Sequence, residues 1–396
     1  MRHDAATLIE LLADLLVRAG FSKDEASAIA RSLTLSERLG YASHGIAQIS
    51  RYIAELRAGN IVSGATPRTL QETPNSLVID AQLGAGQVAM PIVLRKLYSK
   101  LATQASVTAA VRNCGHVGRL GEWVEHPAEA GYAALLFVND NGLNRIVAPP
   151  GGRCGVTSTN PIAFSIPLSN GQIFSADMST AAIALGKVER AKRVGMAVPP
   201  DCMQDAAGAP TRNPEALSEI PPGTILPMGG SQGYKGFALS IFVDLLVAGL
   251  SGGQAPPAAP GTKGENCMII AIWNPEFFSG LDHMKAQAAK YIELVKACPP
   301  VDMTKPVRLP GERTNCEIRR GLGYRAEPGI DRRSLVSCDA IRRVNCDVGA
   351  MILRGQLTVY LHPFPLLPPY AAIRHNERWN RCRNKIEDTC QARCDE

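Results

Sequence analysis

The chain has 396 residues, of which 45% are hydrophobic and 20% are charged, and its formal net charge is +6. This length suits two domains, or one large core with an accessory lobe, and the composition is that of an ordinary soluble globular protein. Residues 314–396 hold 14 basic and 10 acidic residues, so most of the excess positive charge lies there. The body of the chain therefore has no basic signature for nucleic-acid binding.

The cysteines and the apolar stretches exclude further classes. No pair of the 11 cysteines has C-x-x-C spacing, so we expect reduced thiols and no metal site. Glu10 and Asp14 interrupt the leucine-rich N-terminal run. The apolar stretch 237–250 contains Asp244 and is shorter than a membrane span. We expect no export signal, no membrane association and a cytoplasmic location.

Three helices are predicted in succession near the N-terminus. Gly20 ends the first, and Ser22 with Glu25 forms a capping box that opens the second. The third is expected to begin at Ser43, with the serine hydroxyl as its cap. The predicted bounds are about 4–19, 22–38 and 43–59, inside an N-terminal helical lobe of residues 1–75 that packs with residues 276–345.

Strands and helices alternate over residues 76–275, which favours an α/β core for cofactor and substrate. The stretch Gly84–Ala89 lies between a strand and a helix, as a Rossmann fingerprint does. No acidic residue stands near position 106 to hold a ribose, so a plain strand-to-helix turn explains it better. Strands are predicted at 76–80, 106–112, 132–139, 161–167, 173–178 and 268–273, helices from about 86, 116–120, 179, 234 and 278, and a loop or hairpin flap at 198–222.

Two histidines are the main candidates for chemistry. His44 is expected in the first turn of a helix, where the positive helix end favours the neutral imidazole near pH 7. Such a group suits proton transfer, although a lone histidine at a helix start is commonly a surface or hydrogen-bonding residue. His116 follows a predicted strand and is either catalytic or a support for the cofactor. The amides around Gly118 and Gly121 form a candidate cradle for phosphate or carboxylate.

Several motifs then occur in one order along residues 1–345, and together they resemble a known family. That family is the malate/L-lactate dehydrogenase-like NAD(P)-dependent oxidoreductases, which are unrelated to the Rossmann-type lactate and malate dehydrogenases. The motifs are Ser43–Gly45 followed by Arg51–Tyr52, Asn113–Gly118, Val147–Pro149 with Gly151–Gly152, Thr159–Ala163, Asp177–Thr180 with Gly186–Lys187, Tyr234–Gly236 and Leu309–Glu312.

The resemblance implies a homodimer with a non-Rossmann α/β fold, in which a mixed sheet forms the core and the helical lobe is N-terminal. It implies NAD or NADP in a cleft near the subunit interface, and a small 2-oxo acid, 2-hydroxy acid or cyclic imino acid as substrate. His44 would be the proton donor and acceptor, and His116 would line the same pocket as a second catalytic residue. Ser43, Arg51 and Thr159 would bind substrate, and the cofactor would be held by Gly118, Asn160, Pro161, Asp177, Met178, Ser179, Thr180, Lys235, Gly236, Gly311 and Glu312.

The residue chemistry is consistent with this function. Hydride transfer to a carbonyl leaves an alkoxide, which needs a positioned acid, and histidine serves in both directions. A substrate carboxylate needs a guanidinium or an ammonium, for which Arg51 and Lys187 are candidates. Phosphates need helix N-termini and a lysine, which Ser179–Thr180 and Lys235 would supply. Lys235 is expected in a buried turn rather than as a solvated lysine, and Asp177 has a helix-start cap as its alternative role.

Two departures keep alternatives open. Ala47–Gln48 stand where family members often carry an arginine, and the Arg/Cys-rich tail 346–396 does not resemble the family. The nearest alternative function is a cyclic imino acid reductase. Another class is a non-catalytic binder of nucleotide or carboxylate, and a third hypothesis is a basic tail that tethers the protein to RNA or an acidic surface.

Overall fold

The computed structural model describes residues 4–312 of the chain. The predicted tail 346–396 lies outside the described residues, and so does part of the segment 276–345 expected to pack on the helical lobe. Within the described part the helices are α1 (Ala5–Ala19), α2 (Lys23–Arg38), α3 (Ile49–Arg57), α4 (Gly86–Leu101), α5 (Leu120–Glu129), α6 (Leu185–Arg193), α7 (Tyr234–Ser251) and α8 (Leu281–Ala297).

The N-terminal helices form as their capping residues predict. The Asp4 carboxylate accepts from the first-turn amides of α1, and Gly20 ends the helix at a φ of +116°. Ser22 and Glu25 form the predicted capping box at the start of α2.

A seven-stranded mixed sheet forms the centre of the fold. Its strand order is β1-β2-β3-β10-β4-β5-β6, and only the β2–β3 pair is parallel. The mixed sheet predicted from the family resemblance is thus confirmed. Its strands are β1 (Arg68–Glu72), β2 (Ser76–Asp80), β3 (Ser106–Cys114), β4 (Ala133–Asn139), β5 (Ile162–Pro167), β6 (Ile173–Met178) and β10 (Asn266–Trp273). Three short strands lie outside it, β7 (Met203–Gln204), β8 (Pro210–Thr211) and β9 (Thr224–Ile225).

Helices cover both faces of this sheet. The side chains of Met268 and Ile270 in β10 join the core cluster under α4 and α5. Cys267 and Ile269 alternate with them and pack with Val243 on α7, against the opposite face. Because both faces are covered, the central strands are almost wholly apolar.

The predicted flap is a small β structure beside the main sheet. β7 pairs with both β8 and β9 in a three-stranded antiparallel sheet. Its core includes Met203 and Ile225 together with Val188 of α6. A separate cluster therefore stabilises this part of the chain.

α7 is a long apolar helix. Over residues 4–312 it is the one helix that is long and apolar enough to pass a length-and-composition test for a membrane span. It packs on β3, β4 and β10, and it buries Asp244 on its inward side.

Two predicted helix starts are wrong. Residues 42–44 and 46–48 form short 3-10 turns, and α3 begins only at Ile49. Ser43 caps no helix, because its hydroxyl lies 3.0 Å from His44 Nδ1 instead. The helix predicted at Ser179–Thr180 begins later, at Leu185. The backbone N–H of Thr180 donates to the Thr159 carbonyl, which keeps that segment extended beside its neighbour.

Candidate active site

The two predicted histidines stack on each other at the end of β3. The ring centroids of His44 and His116 are 5.7 Å apart and the ring planes differ by 17°. The irregular turns before α3 bring His44 to this place, and the loop between β3 and α5 carries His116. Gln48 Nε2 donates to the Ser43 carbonyl at 2.6 Å and so fixes the turn that carries His44.

Both imidazoles are held neutral. Burial lowers the pKa of His44 to about 4, and the positive charges of Arg51 and Arg119 lower it further. Burial also lowers the pKa of His116 well below its usual value, with Arg51 and His44 as smaller causes. The prediction of a neutral His44 is confirmed, but the predicted cause is wrong. Burial and two arginines, rather than a helix end, disfavour the imidazolium.

A hydrogen-bonded chain orients His116. Gln87 Nε2 donates to the Tyr52 hydroxyl at 2.7 Å, and that hydroxyl lies 2.7 Å from His116 Nδ1. Since the Tyr52 oxygen already accepts from Gln87, its proton points to Nδ1. Burial raises the pKa of Tyr52, so the phenol keeps that proton. His116 Nδ1 is then an acceptor, and its proton lies on Nε2.

Arg51 lies beside the histidine pair, as its predicted role requires. Its guanidinium forms an ion pair with Glu265, and Nη1 lies 3.4 Å from Gln48 Oε1. Gln48 is uncharged, and the charge of Arg51 acts on both histidines. Lys187, the other candidate for the substrate carboxylate, is exposed on α6. The preceding residue, Gly186, packs against Ser43, where an added Cβ would come within 2.8 Å of the serine Cβ.

Arg119 is a buried arginine to which sequence reasoning assigned no role, and its charge acts on both His44 and Asp177. Arg119 is 1% exposed and forms two hydrogen bonds to the Glu125 carboxylate, at 2.8 and 2.6 Å. The Asp177 carboxylate accepts from the backbone N–H of Gly121 at 2.8 Å, at the start of α5. Asp177 therefore does not cap a helix that follows it in the chain, which was its alternative role; the candidate cradle at Gly121 already holds this internal carboxylate. Burial raises the pKa of Asp177, while the Gly121 amide and Arg119 lower it.

The predicted cofactor residues around Thr159 form a second cluster. The Thr159 carbonyl accepts from Ser179 Oγ, from Thr180 Oγ1 and from the Thr180 amide, each at 3.0 Å. Asn160 is buried at a φ of +30°, and Pro161 leads directly into β5. The Ser179–Thr180 amides are therefore not available as a helix N-terminus for phosphate.

Gly236 joins this cluster, and Lys235 does not. A Cβ at Gly236 would lie 2.3 Å from the Met228 carbonyl oxygen and 2.8 Å from that of Thr180, so only glycine fits. The Lys235 side chain is exposed, with its ammonium 5.9 Å from the centre of the Tyr234 ring. The predicted burial of Lys235 is wrong, because the lysine points away from the side of α7 that packs on the fold.

The remaining predicted residues are spread around these clusters. Gly118 has a φ of +74° and lies against the Gln87 side chain, and Met178 is 39% exposed at the end of β6. Gly311 has a φ of +74° and packs on the Ser175 backbone of β6. The Glu312 carboxylate forms an ion pair with Lys296 of α8 at 2.5 Å, so it already has a partner within the protein.

The donor and acceptor set fits a nicotinamide dinucleotide. Asn160 Oδ1 and Gln87 Oε1 are buried acceptors without a hydrogen-bond partner among residues 4–312, one in each cluster. The start of α7 has no side-chain cap, and Lys235 supplies a cation there. Amide acceptors suit the N–H groups of a carboxamide, and an uncapped helix start with a lysine suits a pyrophosphate.

Sequence reasoning assigned no role to Tyr52, Gln87, Arg119 or Glu125. Tyr52 belongs to one of the family motifs and lies eight residues after His44. The signal that could have found it is that spacing, which places both residues on one face of the predicted helix. The pairing of Gln87 with Tyr52 and of Arg119 with Glu125 depends on the tertiary fold and has no local pattern.

Comparison with known proteins agrees with this geometry. The malate/L-lactate dehydrogenase family model matches residues 3–324. The chain is 33% identical to hydroxycarboxylate dehydrogenase B of Escherichia coli (strain K12) over 348 residues, which cover 87% of this chain and 94% of that one. It is 34% identical to a Delta(1)-pyrroline-2-carboxylate reductase of Ancylobacter novellus, covering 79% and 90% of the two chains.

A solved structure gives the same assignment. The structure of a putative malate/lactate dehydrogenase from E. coli superposes with a TM-score of 0.79 at 31% sequence identity, and covers 89% of this chain and 99% of that one. The resemblance read from the motifs and the non-Rossmann α/β fold are both confirmed. The chain belongs to the malate/L-lactate dehydrogenase family of NAD(P)-dependent oxidoreductases.

Proposed function

We propose that His44 is the proton donor and acceptor in hydride transfer between NAD or NADP and a small 2-oxo or 2-hydroxy acid. The reaction class follows from family membership, since relatives include hydroxycarboxylate and L-lactate dehydrogenases. The observation that supports the role of His44 is the neutral, stacked histidine pair beside two arginines.

His44 moves the proton in this proposal. A bound nicotinamide ring supplies or accepts the hydride. Reduction of a ketone leaves an alkoxide oxygen, and the protonated His44 gives that oxygen its proton. In the reverse direction the neutral ring removes the hydroxyl proton. Ser43 Oγ lies 3.0 Å from Nδ1, so the opposite nitrogen, Nε2, is the one that faces the reacting oxygen.

His116 binds the same oxygen as a neutral donor. Tyr52 holds the His116 proton on Nε2, as the hydrogen-bond chain from Gln87 requires. A neutral donor polarises a carbonyl without adding a second positive charge beside His44. In this proposal His44 transfers the proton and His116 polarises the carbonyl.

Arg51 is proposed to attract the substrate carboxylate, with Ser43 and Thr159 as further substrate contacts. Arg51 would have to exchange its ion pair with Glu265 for the substrate carboxylate. The positive charges of Arg51 and Arg119 that lower the pKa of His44 also favour an anion. A bound carboxylate offsets this charge, so it raises the pKa of His44 at the moment when a proton is needed. Substrate binding therefore prepares the acid.

The cofactor is proposed to lie along the Thr159 cluster and the start of α7. The residues proposed to hold it are Gly118, Asn160, Pro161, Asp177, Met178, Ser179, Thr180, Lys235, Gly236, Gly311 and Glu312. Lys235 is exposed at an uncapped helix start, which suits a pyrophosphate. Glu312 requires rearrangement of its ion pair with Lys296 to take part.

A homodimer and a cytoplasmic location complete the proposal. The outer side of α7 exposes Ile241, Phe242, Leu245 and Leu250, each at 39% or more. A row of apolar side chains on one helix face suits contact with a second copy. Light scattering should give the mass of a dimer, and Leu245→Arg should shift it toward the monomer; a wild-type monomer would contradict this part.

The test is oxidation of NADH and of NADPH against a panel of small 2-oxo acids and cyclic imino acids. The relatives that reduce Delta(1)-pyrroline-2-carboxylate justify the second group. Turnover of a 2-oxo acid would support the proposed reaction, and turnover of a cyclic imine alone would favour the reductase alternative. Tight dinucleotide binding with no turnover across the panel would favour a non-catalytic binder.

A further inference from the structure

α7 has an unusual distribution of side chains. Its outer face is apolar, whereas Gly236, Ser240 and Asp244 lie four residues apart on its buried side. Asp244 is 4% exposed and Ser240 is 1% exposed. A buried carboxylate is costly unless donors surround it, so this inward side has a role that core packing does not explain.

Asp244 is the centre of a buried polar network. Thr157 Oγ1 donates to Asp244 Oδ2 at 2.6 Å, and Asn139 Nδ2 lies 3.2 Å from Oδ1. Burial raises the pKa of Asp244, while hydrogen bonds from Thr157, Asn160 and Asn139 lower it. These three partners are themselves buried polar residues, so their orientations are set by each other rather than by water.

One arm of the network reaches Asn160. The Asn160 amide nitrogen donates to Thr157 Oγ1 at 2.9 Å, to Ser240 Oγ at 3.0 Å and to the Ser240 carbonyl at 3.1 Å. Asn160 has a φ of +30°, a conformation that an L-residue keeps only when its surroundings hold it there. That conformation sets the direction of the Thr159 carbonyl, which accepts hydrogen bonds from the Ser179 and Thr180 hydroxyls.

A second arm leads toward His116. Asn139 and Asp244 are hydrogen-bonded, and Asn266 Nδ2 lies 3.5 Å from the Asn139 carbonyl. Asn266 Oδ1 in turn accepts from the backbone N–H of Val117 at 3.0 Å. The residue next to His116 is therefore tied to the same buried network as Asn160.

We infer that Asp244 is a positioning residue, which holds Asn160 and the Thr159–Asn160 backbone in the conformation that binds the nicotinamide dinucleotide. This inference rests on the proposed function of the Thr159 cluster. Asp244 acts through Thr157, whose hydroxyl accepts from Asn160 and contacts Ser240 Oγ, and it touches neither substrate nor cofactor. Its carboxylate accepts from two directions at once, which neither a leucine nor an amide in the same place would do.

The experiment compares Asp244→Asn with wild type by fluorescence titration of NADH and of NADPH, and by steady-state kinetics. The amide has the same shape but replaces one acceptor oxygen by a donor. We expect the Kd and KM for the dinucleotide to rise about tenfold, the effect of one lost hydrogen bond to a charged group. The KM for the 2-oxo acid should change much less.

Thr157→Val is the second variant, and it removes the hydroxyl between Asp244 and Asn160. It should reproduce the weaker dinucleotide binding, and the double variant should be no weaker than either single one, because both changes break one network. Val247→Ala is the matched control. It removes a buried side chain one turn along α7 that belongs to the apolar cluster, so it should lower the melting temperature and leave the dinucleotide Kd unchanged.

The outcomes separate this inference from the proposed function. An unchanged Kd in Asp244→Asn and in Thr157→Val, with normal binding by wild type, would overturn the role of Asp244 alone. An equal rise in Kd for Val247→Ala would also overturn it, since general destabilisation would then explain the effect. Wild-type protein that binds neither dinucleotide would overturn the proposed function and this inference with it.

Discussion

The low pKa of His44 leads to opposite pH profiles for the two directions of the reaction. With a pKa of about 4, His44 in the free enzyme is protonated in only about one molecule in a thousand at pH 7. Oxidation of a 2-hydroxy acid needs the neutral ring, so its kcat/KM should be flat from about pH 5.5 upward and fall as the pH drops through about 4.

Reduction needs the protonated ring, so its kcat/KM should behave differently. It should fall about tenfold for each pH unit between pH 5 and 8, because the protonated fraction of the free enzyme falls in that proportion. The assay is the initial rate of NADH or NADPH formation or consumption at low substrate concentration. The buffers are kept at constant ionic strength, because salt screens the charges of Arg51 and Arg119.

His126→Gln is the control for this measurement. His126 is a half-exposed histidine on α5 beside Glu129, away from the stacked pair, and its replacement should leave both profiles unchanged. An oxidation profile with an inflection near 6.5, or a reduction rate that does not depend on pH between 5 and 8, would refute the assignment of a desolvated His44 as the acid and base.

Two further predictions concern stability. Tyr52→Phe leaves the buried amide of Gln87 and the buried Nδ1 of His116 without their shared partner. We therefore expect the free energy of unfolding, measured in urea, to fall by about 1–3 kcal/mol, and kcat to fall as well. An unchanged free energy of unfolding would contradict the hydrogen-bond chain. Burial raises the pKa of Asp140 to about 7, above that of an unfolded carboxyl. Its stabilising effect is therefore complete below about pH 4 and is lost as pH rises to 7, by at most about 4 kcal/mol. Asp140→Asn should then unfold at a higher urea concentration than wild type at pH 8 and show a smaller dependence on pH, whereas equal pH dependence of the two proteins would count against a desolvated carboxyl.

Much of the fold could be predicted from local patterns. The capping box at Ser22 and the left-handed Gly20 set helix bounds that the structure keeps. Strand 173–178 was predicted with the observed ends. These features depend on residues that are close in sequence, so periodicity and turn chemistry suffice to find them.

The errors occurred where distant residues override a local pattern. Serine commonly caps helices, but the Ser43 hydroxyl contacts His44, and Gln48 holds the turn by donating to the Ser43 carbonyl. Ser179 and Thr180 likewise suit a helix start, yet the Thr159 carbonyl, 20 residues away, takes their donors. Such competition between a cap and a tertiary hydrogen bond is invisible in a single sequence.

The candidate site could be predicted in part. His44, His116 and Arg51 were expected together, and the structure places them together. The buried pair Arg119–Glu125 could not be found, because a charged residue at the start of a helix is usually solvated. Its effect on His44 appears only once the fold encloses it.

The most direct measurement of the central claim is turnover by His44→Ala beside its dinucleotide affinity. We predict that kcat/KM with the best acid of the panel falls by about 100-fold to 10,000-fold, the usual contribution of a general acid or base. The Kd for NADH or NADPH should stay within about twofold of wild type, because no proposed cofactor contact is removed. A variant that keeps its turnover would contradict the account, since some other group would then be the acid.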